Sequence, residues 1–193
     1  MTKNHPMNEF PLLDAKDGIP LFYPYVPLEA IGEVTDTLSG RWIGQGPKVD
    51  LFERRFEEFF LGEHKALAVG SGTDALHLAY LLSDLGVDDE VIVPVFTCTA
   101  TNIPLIYIGA KIIFADIDLD TMNISVADVR RKITPRTKAI VCVDYGGIPC
   151  DYDALNALCY EHGLKLIADA AHSIGSKYRG RFSGTCEIGR AHV

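Results

Sequence analysis

Between residues 65 and 168 the sequence alternates short apolar runs with segments long enough for two or three helical turns. That alternation restricts the chain to few architectures. The runs are 65–69, 90–95, 111–115, 138–143 and 164–168, with helical stretches expected near 72–85, 98–108, 125–132 and 151–162. A run that is apolar at successive positions has no polar face to give to water, so both its faces must be covered. The fold class read from this pattern is α/β, a mainly parallel sheet with helices on both faces. Ser125 and Asp151 are expected N-caps, Gly86 and Gly163 expected helix stops, and Pro104 should keep its helix short or kinked.

Ahead of this region, residues 1–24 read as an irregular arm, because Pro6, Pro11, Pro20 and Pro24 interrupt any regular period. Pro27 opens a helix with Leu28, Ile31, Val34 and Leu38 on one face, closed by Ser39-Gly40. Pro47 opens another, with Val49, Phe52, Phe56, Phe59 and Phe60 on one face and Gly62 as its stop. The glycine-rich stretch 41–46 between them reads as a loop.

Charge narrows the partners. With 18 basic against 26 acidic side chains the net charge is −8, which disfavours nucleic acid and anionic membrane surfaces. No apolar run approaches the roughly 18 residues of a membrane-spanning helix, and the polar stretch 1–9 lacks the apolar core of a signal peptide. The cysteines Cys98, Cys142, Cys150, Cys159 and Cys186 contain no CxxC pair and read as reduced thiols. A cytoplasmic location is the expectation.

Two motifs carry candidate chemistry. Val69-Gly70-Ser71-Gly72-Thr73-Asp74-Ala75 joins an expected strand to an expected helix. Glycines let the backbone turn sharply and approach a ligand, and the first amides of the helix favour an anion. The spacing also matches a relaxed dinucleotide fingerprint. That fingerprint asks for an acidic residue after the next strand, where Val95-Phe96-Thr97 stand, so phosphate binding, dinucleotide binding and a structural turn all remain open. The second motif, Leu166-Ile167-Ala168-Asp169-Ala170-Ala171-His172, delivers a carboxylate at a strand's C-terminal end, where open α/β sheets bind ligands. Such a carboxylate can keep a heterocyclic nitrogen protonated, which for pyridoxal phosphate maintains the electron sink. A helix cap for Asp169 and a backbone-bonded histidine for His172 are the alternatives. Asp144 is a third strand-end carboxylate, followed by the turn residues Tyr145-Gly146-Gly147. Asp116, Asp118 and Asp120 lack the glycine and distal glutamate of a calcium loop and read as a solvated turn, so no metal site is expected.

In order and spacing, the segments 39–49, 71–76, 89–94, 134–140, 145–151 and 169–175 resemble the DegT/DnrJ/EryC1/StrS family of pyridoxal-phosphate-dependent sugar aminotransferases. The resemblance implies the large domain of fold-type I enzymes over residues 25–186, truncated before a smaller C-terminal domain. It implies pyridoxal 5′-phosphate as cofactor, with Gly72, Thr73 and Asp74 at its phosphate, Asp169 at the pyridine nitrogen and His172 near the phenolic oxygen. A nucleotide-linked keto-sugar would be the substrate, glutamate the amino donor, and a second copy the partner in a homodimer.

Three departures qualify the likeness. Cys98 stands where relatives place an aromatic ring over the pyridine, so Phe96 or Cys98 would take that place. Asp144 stands where relatives often carry histidine. The Schiff-base lysine is expected some twenty or more residues beyond Asp169, outside this chain, and Lys177, eight residues on, is a poor substitute. Residues 187–193 are read as a non-native tail, because Ile188-Gly189-Arg190-Ala191-His192-Val193 is what a common sequencing adapter encodes. The other readings left open are a pyridoxamine-dependent sugar dehydratase of the same family, an NAD-dependent oxidoreductase using the Gly70–Ala75 turn, and a non-catalytic regulator.

Overall fold

The computed structural model describes residues 26–186. The expected arm over 1–24 and the expected tail over 187–193 lie outside the described residues. The chain divides into two units, Met1–Gly46 and Pro47–Val193.

In the first unit, helix α1 (Leu28–Ser39) begins directly after Pro27 and ends at Gly40, whose amide donates to Asp36 O. Thr35 and Thr37 return their hydroxyls to the carbonyls of Ile31 and Glu33. The loop that follows closes through Trp42 Nε1, which donates to Gln45 O at 2.8 Å. The indole lies so close to Gly46 that a Cβ there would fall 2.1 Å from Nε1, so a larger residue would displace the Trp42 ring.

The second unit opens with α2 (Pro47–Phe56), which runs into a π-helical turn, Glu57–Leu61, and stops at Gly62 with φ 63°. The rings of Phe52, Phe56 and Phe60 follow one another at 5.8 and 5.0 Å, and Phe60 meets Phe182 edge-on at 5.3 Å. Then come α3 (Gly72–Leu82), β1 (Glu90–Pro94), α4 (Thr99–Tyr107), β2 (Lys111–Ala115), α5 (Val126–Lys132), β3 (Thr137–Val143), α6 (Tyr152–His162) and β4 (Lys165–Asp169). A two-residue hairpin, β5 (Lys177–Tyr178) and β6 (Arg181–Phe182), ends the described chain. Its turn residues Arg179 and Gly180 both have positive φ (48° and 86°), the handedness that suits a two-residue hairpin. No helix among the described residues is long and apolar enough to cross a membrane.

The four main strands form one parallel sheet in the order β2-β1-β3-β4. Successive residues serve opposite faces. Ile92, Ile140, Cys142, Leu166 and Ala168 pack against Val129 of α5 and Leu155 and Leu158 of α6. Val91, Val93, Ala139, Val141 and Ile167 pack against Leu76, Ala79 and Tyr80 of α3 and Leu105 of α4. Both faces are therefore apolar, as the unbroken runs require. Ser125 and Asp151 accept hydrogen bonds from Asp128 N and Ala154 N, and Gly163 ends α6 in the left-handed conformation. The helix expected to reach Gly86 ends earlier, at Leu82, with Ser83 as its C-cap.

One expected strand is not a strand. Residues 65–69 have no regular secondary structure and pair with no strand among the described residues. Side-chain acceptors on α2 and its π turn take the place of strand carbonyls. Ala66 N donates to Glu57 Oε1 at 3.0 Å and Ala68 N to Glu53 Oε1 at 2.8 Å. Two glutamates thus satisfy two alternate amides of the segment.

At the N-terminal edge of the sheet, Glu90 is 1% exposed and accepts from Thr134 Oγ1, from Arg136 Nε (2.9 Å) and Nη2 (2.6 Å), and from Lys111 Nζ (3.2 Å). The Thr134 hydroxyl and the Arg136 guanidinium hold its carboxyl down to about 2, from an ordinary 4.5. Asp128 lies down at about 2, from 3.8, chiefly through the amide of Asp116 and the guanidinium of Arg131. Both groups bind protons less readily folded than unfolded. Their stabilisation is complete above about pH 4.5 and disappears as pH falls towards 2. Urea unfolding of the full-length protein between pH 5 and 2 should show that loss, and Glu90→Gln should flatten the profile; an unchanged slope would contradict the assignment.

Candidate functional site

Because β1, β3 and β4 run parallel, their C-terminal ends open on one edge. Val143 of β3 is in register with Asp169 of β4, so the following residue, Asp144, lies beside Asp169 and donates its amide to Asp169 O at 3.2 Å. The two neighbouring carboxylates have different fates.

Asp144 is fully buried and both its oxygens accept from protein donors. Oδ1 accepts from Cys150 N at 2.8 Å, and Oδ2 from Tyr152 OH at 2.9 Å and Ser173 Oγ at 3.0 Å. It fastens the turn after β3 to α6 and to the turn after β4. Asp169 is 5% exposed and accepts from Thr101 Oγ1 at 2.8 Å and from Ala171 N at 3.2 Å. No cation among the described residues is paired with it. With two neutral donors against the three that Asp144 has, each Asp169 oxygen keeps capacity for a further donor at the ligand edge.

His172 follows on an exposed turn. Its Nδ1 accepts from Gly146 N at 3.3 Å. In the neutral ring that leaves the proton on Nε2, which is therefore a donor. Gly147 approaches the same turn: a Cβ there would lie 3.1 Å from His172 O, and its φ is +83°, so only glycine sits there without strain. Tyr145 stands beside the imidazole, rings 5.6 Å apart and edge-on, and Phe96 packs against Tyr145 at 4.7 Å. Phe96 therefore belongs to an aromatic row at the strand ends, whereas Cys98 is exposed as the residue before α4.

At the start of α3, Ser71 Oγ accepts from Asp74 N at 3.1 Å and Ser71 O from Ala75 N at 3.0 Å. Asp74, one of the residues expected at a phosphate, has its amide on the serine cap in this structure. The first-turn donors without an intrahelical acceptor are Gly72 and Thr73. No hydrogen bond joins this turn directly to Asp169 or His172 among the described residues. The link runs through α3 itself, whose Tyr80 OH donates to Thr101 O at 2.8 Å. Ala75 of that first turn and Ala170 of the turn after β4 also line a common cavity of about 520 Å³. Lys177 lies elsewhere, its ammonium 4.4 Å from the centre of the Phe182 ring.

Sequence reasoning missed Thr101 and Tyr80, and read Thr97 and Tyr145 only as strand-end and turn residues. The one sequence signal was the four-residue spacing of Thr97, just before α4, and Thr101 in its first turn.

The family model for the DegT/DnrJ/EryC1/StrS aminotransferase family matches residues 26–191. The spore coat polysaccharide biosynthesis protein SpsC of Bacillus subtilis (strain 168) is 42% identical over 167 residues, 86% of this chain and 43% of that protein. Among solved structures, the aminotransferase from Psychrobacter cryohalolentis is 35% identical, with a TM-score of 0.80 over 86% of this chain and 42% of that one. Spr1654 of Streptococcus pneumoniae, which carries a provisional name as a sugar aminotransferase, is 33% identical in its PLP form, with a TM-score of 0.82 over 88% of this chain and 47% of that one. It has also been solved in a PMP form. The chain spans less than half the length of these relatives.

Proposed function

The chain belongs to the DegT/DnrJ/EryC1/StrS aminotransferase family, and from that premise we propose that it is the N-terminal part of a pyridoxal-phosphate-dependent aminotransferase acting on a nucleotide-linked keto-sugar. The observation that carries the reading is Asp169: a carboxylate 5% exposed, at the ligand edge of a parallel sheet, bonded to neutral donors and lacking a cation among the described residues. A protonated pyridine nitrogen is such a cation.

The donor set suits the rest of the cofactor. The amides of Gly72 and Thr73, at the positive end of α3, suit its phosphate. The Nε2 proton of His172 suits its phenolic oxygen. Bound pyridoxal phosphate supplies the electron sink that amino transfer requires. In that chemistry Asp169 holds a proton on the ring nitrogen, the first turn of α3 anchors the phosphate, and His172 donates a hydrogen bond. On this reading covalent attachment would fall to a lysine other than Lys177, whose ammonium lies over the Phe182 ring. Glutamate as amino donor, a homodimer and a cytoplasmic location complete the proposal.

Purified full-length protein should convert a nucleotide-linked keto-sugar to its amine with glutamate; no amine with any amino donor would overturn the reaction class. The 193-residue chain alone should give no turnover. A borohydride-reducible adduct mapped to Lys177, with consumption of an amino donor, would reverse that second expectation.

A further inference from the structure

Asp169 is not aimed by β4 alone. Its Oδ2 is bonded to the hydroxyl of Thr101, which is fully buried in the first turn of α4. Thr97 Oγ1 lies 2.8 Å from Thr101 Oγ1. A hydroxyl has one proton to give and a carboxylate only accepts. Thr101 gives its proton to Asp169, so Thr97 must be the donor to Thr101. The result is a directed chain, Thr97 to Thr101 to Asp169, in which each bond polarises the next.

The chain is anchored at a second point. Thr101 O accepts from Tyr80 OH on α3, whose phenol is pushed far above its usual range by burial and then by the Asp169 charge, so it remains a donor. With Ala171 N on Oδ1 and Thr101 on Oδ2, the carboxylate cannot rotate without breaking a bond. Each oxygen still has capacity for a further donor.

We propose that Thr101 is a positioning residue for the cofactor: through Thr97 and Tyr80 it locks the Asp169 carboxylate and fixes its distance from the helix that offers the phosphate amides. The proposal rests on the reading of Asp169 given above. Thr101 touches no substrate, and acts through Asp169.

The test compares full-length wild type with Thr101→Val, Thr101→Ser and Thr97→Val. Two quantities are read across pH: affinity for pyridoxal phosphate, by fluorescence titration, and the absorption of the bound cofactor. Thr101→Val keeps the side-chain shape and removes the hydroxyl, so affinity should weaken roughly tenfold, the scale of a hydrogen bond to a charged group. The pH at which the absorption changes should move with it. Thr101→Ser should return both quantities to within about twofold of wild type. Thr97→Val should shift both in the same direction by less, and it carries the test alone if Thr101→Val does not fold. An unchanged affinity and pH profile in the folded valine variants overturns the proposal. So does a loss in Thr101→Ser as large as in Thr101→Val, which would make the position one of packing. A wild type that binds no pyridoxal phosphate is a separate failure: it removes the reading of Asp169, and the proposal falls with it.

Discussion

Asp169→Asn in the full-length protein is expected to leave the fold intact and to cost roughly 10²–10³-fold in amino transfer, the scale of removing one preorganised electrostatic group from an active site. The substitution is chosen because it separates charge from shape. Asparagine is nearly isosteric and its carbonyl oxygen can still accept from Thr101 Oγ1 or from Ala171 N. What it lacks is the negative charge that, on the proposed reading, holds a proton on the ring nitrogen. Melting temperature should therefore change little while turnover collapses, and cofactor affinity should fall with it. Asp169→Ala is the less informative variant, since it also strands the buried Thr101 hydroxyl. An Asp169→Asn enzyme within threefold of wild type in amine formation would mean that the ring nitrogen does not depend on this carboxylate.

Asp144→Ala should act on the other side of the ledger, on stability. Two of its donors, Cys150 N and Tyr152 OH, have their bonds to Asp144 at 2.8 and 2.9 Å and sit among fully packed side chains. Ser173 has a second acceptor in Ala170 O at 3.2 Å, so the cost falls mainly on the first two donors. Each buried donor left without an acceptor costs about 1–3 kcal/mol, which puts the substitution near 2–5 kcal/mol. That is a large share of a typical domain's 5–15 kcal/mol. Asp144→Asn keeps an oxygen for Cys150 N and can donate to Tyr152 and Ser173 oxygens, so it should cost less than half as much. Urea unfolding of the full-length proteins measures both. An alanine variant within about 0.5 kcal/mol of wild type, the range of an ordinary surface substitution, would show that the network is not needed.

The two carboxylates show how far the sequence could be read. Each follows an apolar run, and that placement is visible because a run of buried residues must end where the sheet ends. Their difference was not visible. Asp144 is consumed by partners 6, 8 and 29 residues away, and Asp169 is held by a hydroxyl 68 residues earlier. No local spacing announces such bonds. The segment 65–69 makes the same point for the fold. Its composition says extended and apolar, but the acceptors for its amides are Glu53 and Glu57, acidic residues on a helix that pattern alone assigns to solvent.

The sequence by itself determined the α/β class, the parallel sheet, the helix caps at Ser125, Asp151 and Gly163, and the strand-end placement of Asp169. These follow from short-range physics: side-chain periodicity matches the backbone repeat, and a cap needs only its own turn. Tertiary structure alone decided that Thr101 meets Asp169, that Tyr80 ties α3 to α4, and that Gly146 N meets His172 Nδ1. A hydrogen bond demands a donor and an acceptor within about 3 Å and near-linear. That condition is set by how whole helices and strands come to rest on one another, and the periodicity of any one of them carries no record of it.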